Sequence, residues 1–175
     1  MKRLILAAVV LLAFAGVSCD AIDDLLTFYI NHDETITIAS NFPVGQLVPL
    51  TPVTVTTNSE ESFKNNKTRA ELVKDVTLDK LTLTITDPQG GNFDFLKRIE
   101  LYISSDNKPE VKLAGLDAVP QNVSQIELQS TNAELDEYIK SDSYTIRTEA
   151  VLAKPVSSDI TIKADMRFKA TADPL

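Results

Sequence analysis

Cysteine occurs once in the 175 residues, at Cys19, so no intramolecular disulfide can form and the fold must stand on its hydrophobic core. Histidine also occurs once. A Ser-His-Asp triad or a Cys-His dyad would have to use His32, which lies in Asn31-His32-Asp33-Glu34, a polar run that reads as an exposed turn between two short strands. One His and one Cys fall short of the ligand set that zinc or copper normally takes. Tryptophan is absent, which removes the usual platform for stacking sugars and leaves Tyr29, Tyr102, Tyr138 and Tyr144 as substitutes. Its absence also speaks against an outer-membrane pore, whose strands carry aromatic girdles. No GxGxxG, P-loop or GxSxG pattern occurs, and Gly90-Gly91 reads as a turn pair. Calcium would need a convergence of oxygens. Asp23, Asp24, Asp33 and Glu34 could supply one near the N-terminal end, although a solvated acidic end explains them more simply. The expectation is a protein that is not an enzyme and carries no metal or cofactor.

Cations are scarce as well. Lys and Arg total 17 against 25 Asp and Glu, for a net charge of -8. Nucleic-acid binding needs a basic stripe that releases counterions, so no nucleic-acid partner is expected. Docking on anionic lipid is disfavoured for the same reason.

The first residues stand apart in composition. Met1-Lys2-Arg3 gives a positive start, and Leu4 to Phe14 gives an apolar run of signal-peptide length, too short to remain as a membrane-spanning helix. Gly16-Val17-Ser18-Cys19 then resembles the lipobox of bacterial lipoproteins, with Gly16 departing from the Leu usual at that position. That resemblance implies removal of residues 1–18, acylation of Cys19 as the new N-terminus and a membrane partner reached through the lipid anchor. Ordinary secretion is the competing reading, because Ala13-Phe14-Ala15 also fits an A-x-A cleavage site. Loss of Lys2 and Arg3 with the leader takes the net charge from -8 to -10. Residues 19–26 form an acidic tether in which Asp20, Asp23 and Asp24 stand among Ala21, Ile22, Leu25 and Leu26. The expected address is the cell envelope, at the outer membrane or cell surface.

Residues 27–175 are expected to form one domain, since about 150 residues bury roughly 70% of their unfolded surface around a single core. Alternation of apolar and polar residues dominates them. Ile160, Ile162, Ala164, Met166 and Phe168 share one face, with Thr161, Lys163, Asp165, Arg167 and Lys169 on the other, the pattern of a strand with one wet side. The charges on that wet side call for opposing Asp or Glu on a neighbouring strand. Leu81, Leu83 and Ile85 alternate in the same way, as do Ile99, Leu101 and Ile103, and the Asp87-to-Asn92 turn cluster between them suggests two neighbouring antiparallel strands with Phe93 and Phe95 closing one end of the core. Shorter runs at Phe28/Ile30, Ile36/Ile38, Val53/Val55, Val111/Leu113, Ile126/Leu128 and Tyr144/Ile146 bring the total to about eight or nine strands. Two short helices are expected at Thr68-Arg69-Ala70-Glu71 and Thr131-Asn132-Ala133-Glu134, where Thr precedes Glu by three residues as in a capping box. The fold class is therefore all-β, an antiparallel β-sandwich, with a barrel as the alternative.

One segment differs in character. Pro43, Pro49 and Pro52 forbid a central strand between residues 41 and 52, while Phe42, Val44, Leu47 and Leu50 make it apolar, so it reads as an edge or crossing segment and as the candidate interaction surface. The functional expectation is a non-enzymatic structural or protein-interaction module with another envelope protein as partner. A carrier of an apolar small molecule or lipid between the sheets is the alternative. The layout as a whole resembles small, β-rich envelope lipoproteins, a resemblance that implies an address and no activity.

Overall fold

The computed structural model describes residues 26–106 and 108–172, so the leader, Cys19 and the acidic tether as far as residue 25 lie outside the described residues. Ten strands form two antiparallel sheets packed face to face, the all-β sandwich that the alternation implies. The first sheet has four strands in the order β1 (Thr27–Ile38), β10 (Ile160–Ala172), β4 (Val73–Asp87) and β7 (Gln125–Glu127). In the second, β9 (Ser143–Leu152), β5 (Leu96–Ser105), β6 (Lys108–Leu116) and β8 (Gln129–Ser130) lie in that order. Its other edge is shared by two short strands, β2 (Leu47–Pro49) and β3 (Val53–Thr56), which pair with successive stretches of β9.

Period-two patterning decides what each sheet buries. Along β10 the apolar set from Ile160 to Ala172 is buried at every second residue. Its partners in β4 include Leu78, Leu81 and Leu83, and Ile99, Leu101 and Ile103 of β5 fill the layer from the opposite sheet. The sheets meet through aromatic edges, with the Tyr144 and Phe168 rings 6.4 Å apart at 74°. Such contacts add to the burial term and fix the spacing of the layers.

Three sequence expectations are corrected. First, β4 and β5 are not neighbours; they belong to different sheets, and the chain crosses between sheets through the Asp87-to-Asn92 turn and a 3-10 turn at Phe93–Phe95. Phe93 and Phe95 do close that end of the core, being 0% and 7% exposed. Alternation specifies which residues face inward, and both strands meet that demand from opposite sides. Second, neither Thr–Glu sequence forms a capping box. Thr68 precedes a 3-10 turn at Ala70–Leu72 that has no side-chain cap, and the Thr131 hydroxyl donates to the Lys112 and Leu113 carbonyls on β6. Among the described residues the α-helices are α1 (Ser59–Asn65), upstream of the first site, and α2 (Asp136–Ile139), just downstream of the second. Third, the polar run around His32 is no turn: the chain stays extended through it, merging two expected strands into the 12-residue β1.

Candidate interaction surfaces

The apolar segment lies at the sheet edge, as its prolines require. Leu47, Val48 and Pro49 pair with Val151, Ala150 and Glu149 of β9, and Val44 forms an isolated bridge with Leu152. Its four candidate residues divide in two. Leu50 is 8% exposed and belongs to the core, and Phe42 packs against the core from the loop, so neither offers a free surface. Val44 and Leu47 are 43% and 47% exposed. Apart from Tyr29, they are the exposed large apolar residues among the described ones.

His32 and Glu34 occupy inward positions at the middle of β1, between the buried pairs Phe28/Ile30 and Ile36/Ile38. The His32 ring meets Tyr144 at 5.8 Å and Phe168 at 6.2 Å, both edge-on, and its Nε2 is buried without a hydrogen-bond partner among the described residues. Burial lowers its pKa below the usual imidazole value, against a smaller upward pull from Asp33. The Tyr144 hydroxyl is also buried and unpartnered, and desolvation, with Glu34 adding to it, pushes its pKa far up. Inward-pointing polar residues on an exposed edge strand discourage another strand from pairing there. Asp33 and Glu34, being consecutive in an extended strand, point to opposite faces and cannot share a calcium ion. Among the described residues no three His, Cys, Asp or Glu stand close enough to hold a metal ion.

The outer face of the six-stranded sheet is a closed electrostatic network. Glu100 on β5 is 4% exposed. It accepts from Lys112, and Arg98 approaches within 2.8 Å while also meeting Asp117 at 2.9 Å. The Lys112 hydrogen bond, reinforced by both positive charges against the penalty of burial, lowers the Glu100 pKa below the ordinary carboxylate value. Gly115, directly opposite Glu100 in the β5–β6 register, makes this geometry possible. A Cβ there would lie 3.1 Å from the Lys112 stem and 3.2 Å from the Ile99 carbonyl, so its absence lets the lysine fold across to the carboxylate. Beside it, Arg147 donates to both oxygens of Glu110 at 2.6 and 2.7 Å, reaches Glu149 at 2.5 Å, and lies 4.3 Å from the Tyr102 ring centroid. The paired hydrogen bonds lower the Glu110 pKa.

On the outer face of the four-stranded sheet the side chains are more exposed. Lys163 meets Asp165 at 2.6 Å and Asp33 at 3.9 Å, Arg167 meets Asp79 at 2.5 Å, and Lys80 meets Glu127 at 3.3 Å. Carboxylates on neighbouring strands thus meet two of the β10 cations, Arg167 through Asp79 and Lys163 through Asp33, although the nearer partner of Lys163 is Asp165 on its own strand. Between them lies a concavity of about 430 Å³, bordered by Asn31, Asp33, Lys80, Gln125, Asp165 and Arg167.

No protein-family model matches the chain, and no curated protein does. Among solved structures it is similar to that of Desmodium yellow mottle tymovirus, with 12% identity over 85% of this chain and 83% of the other and a TM-score of 0.33. A turnip yellow mosaic virus structure gives 12% identity over 85% and 94%, with a TM-score of 0.29. Scores this low say nothing of function.

Proposed function

We propose that the chain is a cell-envelope lipoprotein, anchored through acylated Cys19, whose sandwich serves as a non-enzymatic module for contact with another envelope protein. The observation that carries the protein-contact part is the exposure of Val44 and Leu47 together at a sheet edge, when among the described residues Tyr29 alone of the other large apolar side chains is exposed. Pro43, Pro49 and Pro52 interrupt backbone pairing along this edge, so the partner docks on the two side chains rather than adding a strand. The anchoring part rests on the lipobox-like Gly16-Val17-Ser18-Cys19 after an apolar leader.

The anchor is tested by feeding cells an alkyne fatty acid: wild type takes up the label and fractionates with membranes, while Cys19→Ser does neither. Equal labelling of the two would sink the lipoprotein assignment. The contact surface is tested by placing a photocrosslinking residue at position 47 in intact cells. A discrete protein adduct that disappears with Val44→Ser supports the edge; absence of any adduct in wild type contradicts it.

A further inference from the structure

The concavity on the four-stranded sheet has a construction that the protein-contact reading does not use. Its floor is a rung of short side chains, Asp33, Asp165 and Thr82, in register across β1, β10 and β4. Longer residues rise around that rung: Arg167 and Lys80 on one side, Gln125 of β7 on another. Short residues ringed by long ones make a depression in an otherwise flat sheet, deep enough that Thr82 is only 8% exposed although it faces outward.

Its chemistry is selective in what it leaves available. Two carboxylates and two cations border the depression, so its formal charge cancels. Those charged groups are engaged with other side chains: Arg167 with Asp79, Lys80 with Glu127, and both aspartates with Lys163. The neutral groups are not. Asn31, Thr82 and Gln125 donate and accept no side-chain hydrogen bond among the described residues, and all three line the same depression. An anion would find no spare cation here, since Arg167 and Lys80 are each already paired, and an apolar molecule would meet a floor of two aspartates and a threonine. Two residues along the same face of β1 from Asn31, beyond the residues that line the depression, Tyr29 is 48% exposed, with the Arg167 guanidinium 5.1 Å from its ring centroid. That contact holds the ring while leaving much of it open to solvent.

We infer that this face binds a neutral saccharide. Hydroxyls of a sugar donate and accept at once, which suits two amides and a hydroxyl set among fixed charges, and the C–H face of a pyranose packs on an aromatic ring. Mounting the groups on four paired strands pre-organises them, so little ordering entropy is lost on binding. The surface is distinct from the Val44–Leu47 edge, and neither depends on the other.

The test is a glycan array carrying neutral oligosaccharides beside their uronate and sulfate counterparts, probed with the intact protein in detergent. The strongest neutral binder is then titrated by isothermal calorimetry. Wild type should retain neutral glycans; Tyr29→Ala should weaken the titrated interaction about tenfold, and Asn31→Ala with Gln125→Ala by at least as much. Thermal unfolding of each variant establishes that the fold persists. Retention of acidic glycans alone, of no glycan, or of neutral glycans with unchanged affinity in well-folded variants would overturn the inference.

Discussion

The two outer faces of this sandwich carry similar residue types and use them differently. On the six-stranded sheet Glu100 is buried beneath Lys112 and Arg98, and the neighbouring Arg147 is shared between Glu110 and Glu149 over a tyrosine ring, so every named charge is tied to another. On the four-stranded sheet the ion pairs are mostly exposed and surround a depression whose neutral groups are unengaged. Burial explains the contrast. A carboxylate taken out of water must be matched completely, whereas exposed pairs gain little and constrain little. The first face holds the fold; the second is free to meet something else.

The largest break in this comparison is expected from Lys112→Met. It leaves Glu100 buried with Arg98 as its remaining cation and should cost about 2 kcal/mol in urea unfolding, toward the low end for severed buried pairs because Lys112 is itself partly exposed. A loss below about 0.5 kcal/mol would show that Glu100 is better hydrated than its burial implies. Next, Gly115→Ala should cost about 1 kcal/mol, since the new methyl presses on the Lys112 stem and the Ile99 carbonyl; if stability is unchanged, the lysine has another route to Glu100.

Acid sharpens the difference further. Glu100 and Glu110 have folded pKa values below the unfolded carboxylate value of 4.5, so their stabilisation is present above that pH and is lost as pH falls from 4.5 through the folded values. His32 acts in a higher window. Its folded pKa lies below 6.5, the unfolded chain therefore binds its proton first, and stability declines as pH falls from 6.5 until the folded imidazole is also protonated. His32→Phe should flatten the upper window and leave the lower one in place, read from chemical denaturation between pH 7 and pH 4. An unaltered slope above pH 5 would place the acid sensitivity elsewhere. The smallest effect is assigned to the four-stranded face: Lys80→Ala should change stability by less than about 0.5 kcal/mol.

Alternation made the sandwich legible because period two has one meaning wherever a face is buried. Ile160 to Phe168 could be placed inward on β10 from residue types alone, and the paired carboxylates opposite Lys163 and Arg167 followed from the cost of isolated charge. Sheet membership was not legible at Asp87 to Asn92, since a turn that reverses a hairpin and one that crosses a sandwich use the same residues. The polarity around His32 has two structural meanings, an exposed turn or an edge strand with inward polar positions, and residue type alone does not separate them. The apolar edge was found as a segment but not as a surface: Phe42 and Leu50 carry the same hydrophobicity as Val44 and Leu47, and only packing separates them. The depression left no linear signal, because Asn31, Thr82, Gln125 and Asp165 come from four strands that meet only in the folded sheet.

The most direct measurement is a pair of double-mutant cycles, one on Glu100 and Lys112 and the other on Lys80 and Glu127, followed by urea unfolding. A coupling of about 1–3 kcal/mol in the first and less than about 0.5 kcal/mol in the second is the predicted result. Equal couplings would contradict the division between a face that holds the fold and a face left open.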